Sequence, residues 1–362
     1  MLRRIDSPRR VALRVAVLAI FFAVPSPARA DADLYDKVLR STGWVIVPKD
    51  EKDNAMGTCW LLDKEQKLAV TCQHVVGDAT EVLVYFPRTG KDEVIAEASY
   101  YLRKTPAIYG QVIAADAARD LALLRLRSVP EDAVPLPLAP RSSRPGEVIH
   151  SVGNAGLSGG FSDGTLWWYT WGTVRQIHRL RVEAPDGARS VRMVQTQAPV
   201  NQGDSGGPVV NDQGQLVGVT RAYEADVRLV TENVDVHEVK DFLSTAVTAA
   251  KARGDEAATQ PLLGPWQFAI ELSSGKSVSG RAEFKPDGTF VMRPSRKGES
   301  ARQGRYTYAN GVLWLITDRG IAATSVSWTG GDRFSCHGGR PKLQFDRVAA
   351  QAEEHTYPVS SR

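Results

Sequence analysis

The chain reads as an antiparallel all-β protein of two successive β units, and three observations carry that reading. From Trp44 to Val219, apolar residues recur with period two in short runs broken by Gly, Pro, Asp and Asn. A second set of such runs fills Leu262 to Val348. Between them, "NVDVHEVKDFLSTAVTAAKARG" switches to helical spacing. A length of 362 residues gives room for two cores. With 43% hydrophobic and 24% charged residues, the composition excludes a disordered or collagen-like chain.

In chain order, the first thirty residues have a basic start, an apolar run from Val15 to Val24, and "PSPARA" with small residues at Ala28 and Ala30. That is the three-part pattern of a signal peptide spanning 1–30, cut after Ala30. About ten apolar residues are too few for a membrane anchor, which needs about twenty, so no stable membrane insertion is expected after cleavage. "DADLYDKVLRSTG" places Leu34, Val38 and Leu39 on one face and predicts one or two helical turns. The runs "WVIVP", "EVLVYF", "QVIAAD", "LALLRL", "RMVQTQA" and "LVGVTRA" predict the strands of the first unit. Val236, Val239, Phe242, Leu243 and Val247 predict a helix that closes it and stops at Gly254. The expected units are therefore 31–250, a polar linker 251–261, a small up-and-down β domain 262–348 with turns at "KPDGT", "ANG" and "TGGD", and a tail 349–362.

Charge and cysteine content narrow the function. Loss of the leader removes six Arg (Arg3, Arg4, Arg9, Arg10, Arg14, Arg29) and one acid (Asp6), which carries the formal charge from +4 to −1. The basic balance belongs mostly to the leader, and nucleic acid is not expected as a partner. Cys59, Cys72 and Cys336 are too few for a disulfide framework and lack zinc spacing, so no metal is expected. Export permits a bridge. Cys59 and Cys72 lie in adjacent strands joined by "KEQ", where a cross-strand bridge and two buried thiols are equally compatible.

The stretch "NQGDSGGPVVNDQGQLVGV" places Ser205 in a tight glycine-rich turn. A serine hydroxyl stays protonated at neutral pH and attacks only with a base in reach, and an imidazole oriented by a buried carboxylate suits that task. Of six histidines, His74 alone follows an apolar strand and a Thr-Cys-Gln step, in "LAVTCQHVV". Asp120, directly before the apolar strand "LALLRL", is the carboxylate candidate, and Asp116 is its rival.

The order His74, Asp120, Ser205, each at the edge of a short strand in one β unit, resembles the trypsin-like serine proteases of the chymotrypsin fold. The resemblance is strongest to the HtrA/Deg branch and covers Leu34 to Thr248. It implies a chymotrypsin-like double β-barrel with a closing helix. It also implies a serine endopeptidase that needs no cofactor, with Ser205 as nucleophile, His74 as general base then acid, and Asp120 orienting His74. The N–H groups of Gly203 and Ser205 would form the oxyanion hole. Protein or peptide substrates follow, misfolded envelope proteins among them, in the periplasm or outside the cell, with a homo-oligomer, a trimer in that branch, as the assembly.

The chain also departs from that pattern. The segment before the nucleophile, with Pro199, Val200 and Gln202, has no acid at the floor position near Pro199, so a preference for Lys or Arg is not expected. The opposite wall would be Thr220, Arg221 and Ala222, which favours small or medium aliphatic side chains; Arg221 is unusual there and would close or charge the pocket. "GNAGLSGGFSDGTLWWYTWGTVRQ" offers glycines and Trp167, Trp168, Tyr169 and Trp171, either as strand and core packing or as a gating loop. The Leu262 to Val348 segment resembles small lipocalin-like β domains rather than a PDZ domain, with Trp266, Trp314 and Trp328 expected in its core. A ligand cavity, a peptide-binding edge and a stability module are open for it. A non-catalytic binding protein that keeps the fold is the competing expectation, and esterase-like acyl transfer by the same triad is a third.

Overall fold

The computed structural model describes residues 27–48, 54–91, 93–155, 164–183, 187–223, 230–252, 262–271, 276–296, 298–309, 312–317, 320–337 and 342–348. Most of the expected leader, residues 1–26, lies outside them, as do the linker core and the tail. Helix α1 (Pro27–Leu39) runs through the expected cut after Ala30 and is longer than the one or two turns predicted. It leads into β1 (Thr42–Pro48), β2 (Asn54–Asp63) and β3 (Leu68–Thr71), then a single helical turn, α2 (Gln73–Val76). After β4 (Glu81–Tyr85) come the short helix α3 (Ala98–Lys104), β5 (Ile108–Asp116) and β6 (Leu121–Leu126). A second set follows: β7 (Val148–Gly153), β8 (Trp168–Val182), β9 (Arg189–Thr196), β10 (Pro208–Val210), β11 (Leu216–Tyr223) and β12 (Thr231–Asp235). Helix α4 (Val236–Ala252) ends this part of the chain.

Both sets close into antiparallel barrels. The first has the order β1-β2-β3-β6-β5-β4, and the second β7-β8-β9-β12-β11-β10, so the same six-strand arrangement occurs twice. Burial explains the strand choice: "LALLRL" of β6 is buried at five of six positions, as expected of a strand covered on both faces. One continuous core joins Trp44, Trp60, Val82 and Leu123 of the first barrel to Val152, Leu216 and Val219 of the second. Val239, Phe242 and Leu243 of α4 belong to it too, and α4 packs on both β5 and β11, clamping the barrels together. Arg119 pins the helix further, bonding Asp116 at 2.8 Å and Glu238 at 2.9 Å.

The last unit is an eight-strand up-and-down barrel: β13 (Gly264–Glu271), β14 (Ser277–Phe284), β15 (Thr289–Pro294), β16 (Arg302–Ala309), β17 (Val312–Thr317), β18 (Gly320–Trp328), β19 (Arg333–His337) and β20 (Lys342–Arg347). Strict alternation along β13 and β14 turns Trp266, Phe268, Ala282 and Phe284 inward. With Phe290, Phe334 and Phe345 they fill the interior, Phe334 and Phe345 stacked at 4.4 Å between centroids. Among the described residues the inside of this barrel is thus a packed, largely aromatic core. Gly280 has room for nothing more, because a Cβ there would lie 2.2 Å from the Arg293 carbonyl and 2.7 Å from the Phe268 ring.

Of the three tryptophans expected inside it, Trp266 is central and Trp328 is half-buried beside it, its indole N–H donating to the Tyr308 hydroxyl. Trp314 faces outward: with Ile316 it is buried in the core of the first barrel, where β16 and β17 meet α3. The third barrel is therefore docked by an apolar contact. No helix among the described residues is long and apolar enough to cross a membrane.

Candidate active site

The site lies where the two six-strand barrels meet. Strand β3 ends at Thr71, and Cys72 starts α2, whose buried Val75 and Val76 fix the turn and leave the His74 side chain about half exposed. Asp120 follows the tight turn after β5 with φ of +57°, a left-handed conformation that Asp tolerates better than most residues. That turn delivers a buried carboxylate to His74 in two places. Oδ1 accepts the His74 backbone N–H at 2.8 Å, and Oδ2 lies 2.7 Å from Nδ1. With Nδ1–H spent on the carboxylate, Nε2 carries the lone pair, the form a base needs. Asp116, the rival acid, is taken by Arg119 and by Arg189 at 3.6 Å.

Ser205 is held from both barrels. Its carbonyl accepts the Thr58 N–H of β2 at 2.8 Å, and the next residue's N–H donates to the Thr220 carbonyl of β11 at 2.8 Å. Gly203 has φ of +102°, and a Cβ there would fall 2.3 Å from the Asn154 carbonyl, so only glycine fits. The Gly203 carbonyl accepts the Thr58 hydroxyl at 2.7 Å, and Asn154 Nδ2 donates to that hydroxyl at 3.0 Å. Among the described residues neither the Gly203 nor the Ser205 N–H has an acceptor, which leaves two backbone donors on one turn. Asp204 between them is buried and takes the N–H groups of Asn154, Ala155 and Asn201; burial outweighs these bonds and pushes its carboxyl up to about 6.

Ser205 Oγ donates to the Arg221 carbonyl at 3.3 Å rather than to His74. The Arg221 side chain, expected at the pocket wall, instead lies on the triad, Nε 3.3 Å from Asp120 Oδ2. Of the other pocket candidates, Pro199 and Gln202 are exposed, Val200 is half-buried, Thr220 is buried with its hydroxyl unpartnered among the described residues, and Ala222 continues β11 opposite Glu232. In the aromatic stretch, Trp167 is buried, its indole N–H shared by the Ile95 carbonyl and the Tyr101 hydroxyl, while Trp168 and Trp171 are exposed in β8. Residues 156–163 of the expected gating loop lie outside the described residues.

Of the two arrangements open for Cys59 and Cys72, the structure has the buried thiols and not the bridge: all three cysteines are free and buried. Register is the reason. Trp60 pairs with Val70, so the position across from Cys59 is Thr71, and Cys72, one residue on, turns to the opposite side and donates to the Thr220 carbonyl at 3.2 Å. Cys72, His74 and Asp120 each bring a ligand-type atom within 4.8 Å of the others. Burial, with the nearby Asp120 charge, holds the Cys72 thiol well above its ordinary range.

Thr58, Asn154 and the reach of Arg221 to Asp120 were not predicted. Thr58 and Asn154 are ordinary residues in ordinary contexts, and only the meeting of the two barrels gives them a role.

Two barrels of one topology, with a His–Asp pair from the first and a serine turn from the second, define a trypsin-like peptidase unit. Residues 57–219 match the family described as trypsin-like peptidase domain. Among curated proteins, the chain is similar to the putative serine protease HhoA of Synechocystis sp., 26% identical over 205 residues, which is 55% of this chain and 45% of that protein. It is also similar to serine protease HTRA1A of Danio rerio, 26% identical over 329 residues, 89% of this chain and 60% of that protein. The crystal structure of the Rv3671c protease of M. tuberculosis in its active form aligns with a TM-score of 0.49 and 21% identity, over 71% of this chain and 97% of that one. The chain carries a trypsin-like peptidase domain, and HtrA/Deg serine proteases are among its homologues. It spans about half the length of the curated relatives it matches.

Proposed function

We propose that this protein is an exported serine endopeptidase acting on protein substrates, unfolded envelope proteins among them. The observation that carries the reading is the double grip of Asp120 on His74, through the ring Nδ1 and the backbone N–H, beside a serine turn whose Gly203 and Ser205 N–H groups have no acceptor among the described residues. Ser205 Oγ would attack the scissile carbonyl carbon as its proton passes to His74 Nε2. The new oxyanion would be met by the Gly203 and Ser205 N–H groups, each such donor being worth a few kcal/mol in the transition state. The C–N bond then breaks, the leaving amine takes the proton from His74, and water hydrolyses the acyl-enzyme with His74 again as base. Asp120 would keep the tautomer and stabilise the imidazolium.

Pro199, Val200 and Gln202 on one side and Thr220 on the other carry no acid to pair with a Lys or Arg side chain of the substrate, and Ala222 favours small or medium aliphatic ones.

A serine-directed fluorophosphonate tests the reading. The wild type should label, Ser205→Ala and His74→Ala should not while keeping their circular dichroism, and casein should be cleaved by the wild type alone. A wild type that stays unlabelled, with and without unfolded substrate present, favours a non-catalytic binding protein, the reading supported by Ser205 Oγ resting on Arg221 and not on His74.

A further inference from the structure

Arg221 is the point at which the site departs from what its motifs predict, and three observations converge on it. First, β11 and β12 pair Thr220 with Asn233 and Ala222 with Glu232, so Arg221 is the extra residue of a β-bulge. A bulge breaks the alternation of side chains and re-aims the residue it contains. Second, the re-aimed guanidinium meets Asp120 at Oδ2, the same oxygen that lies 2.7 Å from His74 Nδ1. Third, the Arg221 carbonyl accepts the Ser205 hydroxyl. One residue thus touches two of the three groups of the triad.

We propose that Arg221 is a positioning residue that acts through Asp120, sharing that carboxylate with His74 so that the imidazole stays neutral, and able to accept a proton, to lower pH. This rests on the protease reading above.

The physics is that of one anion between two cations. Protonated His74 would face the Asp120 charge from one side while Arg221 already occupies it from the other. The Asp120 side chain is only 7% exposed, so water screens this competition weakly. Among the described residues, Cys72, Ser205 and Asp116 add no net charge beside the ring. Cys72, on its own segment, is a neutral thiol, and Ser205, from the turn before β10, is a hydroxyl. Asp116, in the strand leading to the Asp120 turn, is neutralised by Arg119 and Arg189. Without the guanidinium, imidazolium would have the carboxylate to itself and the base would be lost at a higher pH.

The test is the pH dependence of the second-order rate of fluorophosphonate labelling in the full chain, for wild type, Arg221→Gln, Arg221→Met and Arg221→Lys. In the two uncharged variants the rate at about pH 5.5, relative to that at about pH 8.5, should fall roughly three- to tenfold further than in the wild type. Arg221→Lys, which keeps the charge, should recover most of the acid-side rate. Two uncharged variants are used so that one misfolding substitution, seen as lost circular dichroism, does not remove the measurement. A merely structural role would lower the rate evenly at every pH, and such parallel profiles overturn the proposal while leaving the protease reading intact. A wild type that labels at no pH overturns both.

Discussion

Asp204 gives the fold a pH dependence of calculable size. Its carboxyl is pushed up to about 6, from an ordinary 3.8, because burial costs the anion more than the backbone N–H bonds of Asn201, Ala155 and Asn154 return. The folded chain therefore holds this proton more tightly than the unfolded chain does. Stability from this group is fully present below the unfolded value, falls as pH rises from about 4 through about 6, and is absent above that. The gap between the two values is worth about 3 kcal/mol, of which about 2.5 kcal/mol should disappear between about pH 4 and about pH 8. Urea unfolding of wild type and Asp204→Asn across that range isolates it, since the other carboxylates titrate in both proteins. The Asn variant should be less stable overall at acid pH, because its NH₂ opposes backbone donors, but its stability should lack this component. If the two curves keep a constant separation to within about 0.5 kcal/mol, the burial argument for Asp204 is wrong.

Two further outcomes follow from packing. Cys59 and Cys336 are pushed up to about 12 by burial, and Cys72 also lies well above its ordinary range, so the native protein should react with no equivalent of a thiol reagent at about pH 8 and the urea-unfolded chain with three; the melting temperature should not change on adding a reductant. Trp314→Ala removes the ring that buries the third barrel in the core of the first, at a cost of about 3–5 kcal/mol, and calorimetry should then resolve two thermal transitions where the wild type shows one.

The sequence by itself determined the strand-rich architecture, the closing helix and the identity of the three triad candidates. Period-two alternation is a local property, and so are the turns that place His74 after "LAVTCQ", Asp120 before "LALLRL" and Ser205 within "GDSGG". It also placed Trp266 in a β core, because alternation along one strand is enough to say which side chains turn inward. It did not reveal α3, whose seven residues are too few for a periodic pattern, nor that Trp314 would serve the neighbouring barrel instead of its own. Tertiary structure alone decided that Asp120 and not Asp116 holds His74, that Thr71 and not Cys72 stands across from Cys59, and that Thr58 and Asn154 brace the Ser205 turn from the other barrel and a distant loop. It likewise turned Arg221 from a pocket residue into a partner of the triad. The physical reason is common to these cases: each depends on the register between segments far apart in the chain. A shift of one residue, such as the bulge at Arg221, re-aims a side chain without leaving any mark on the local sequence.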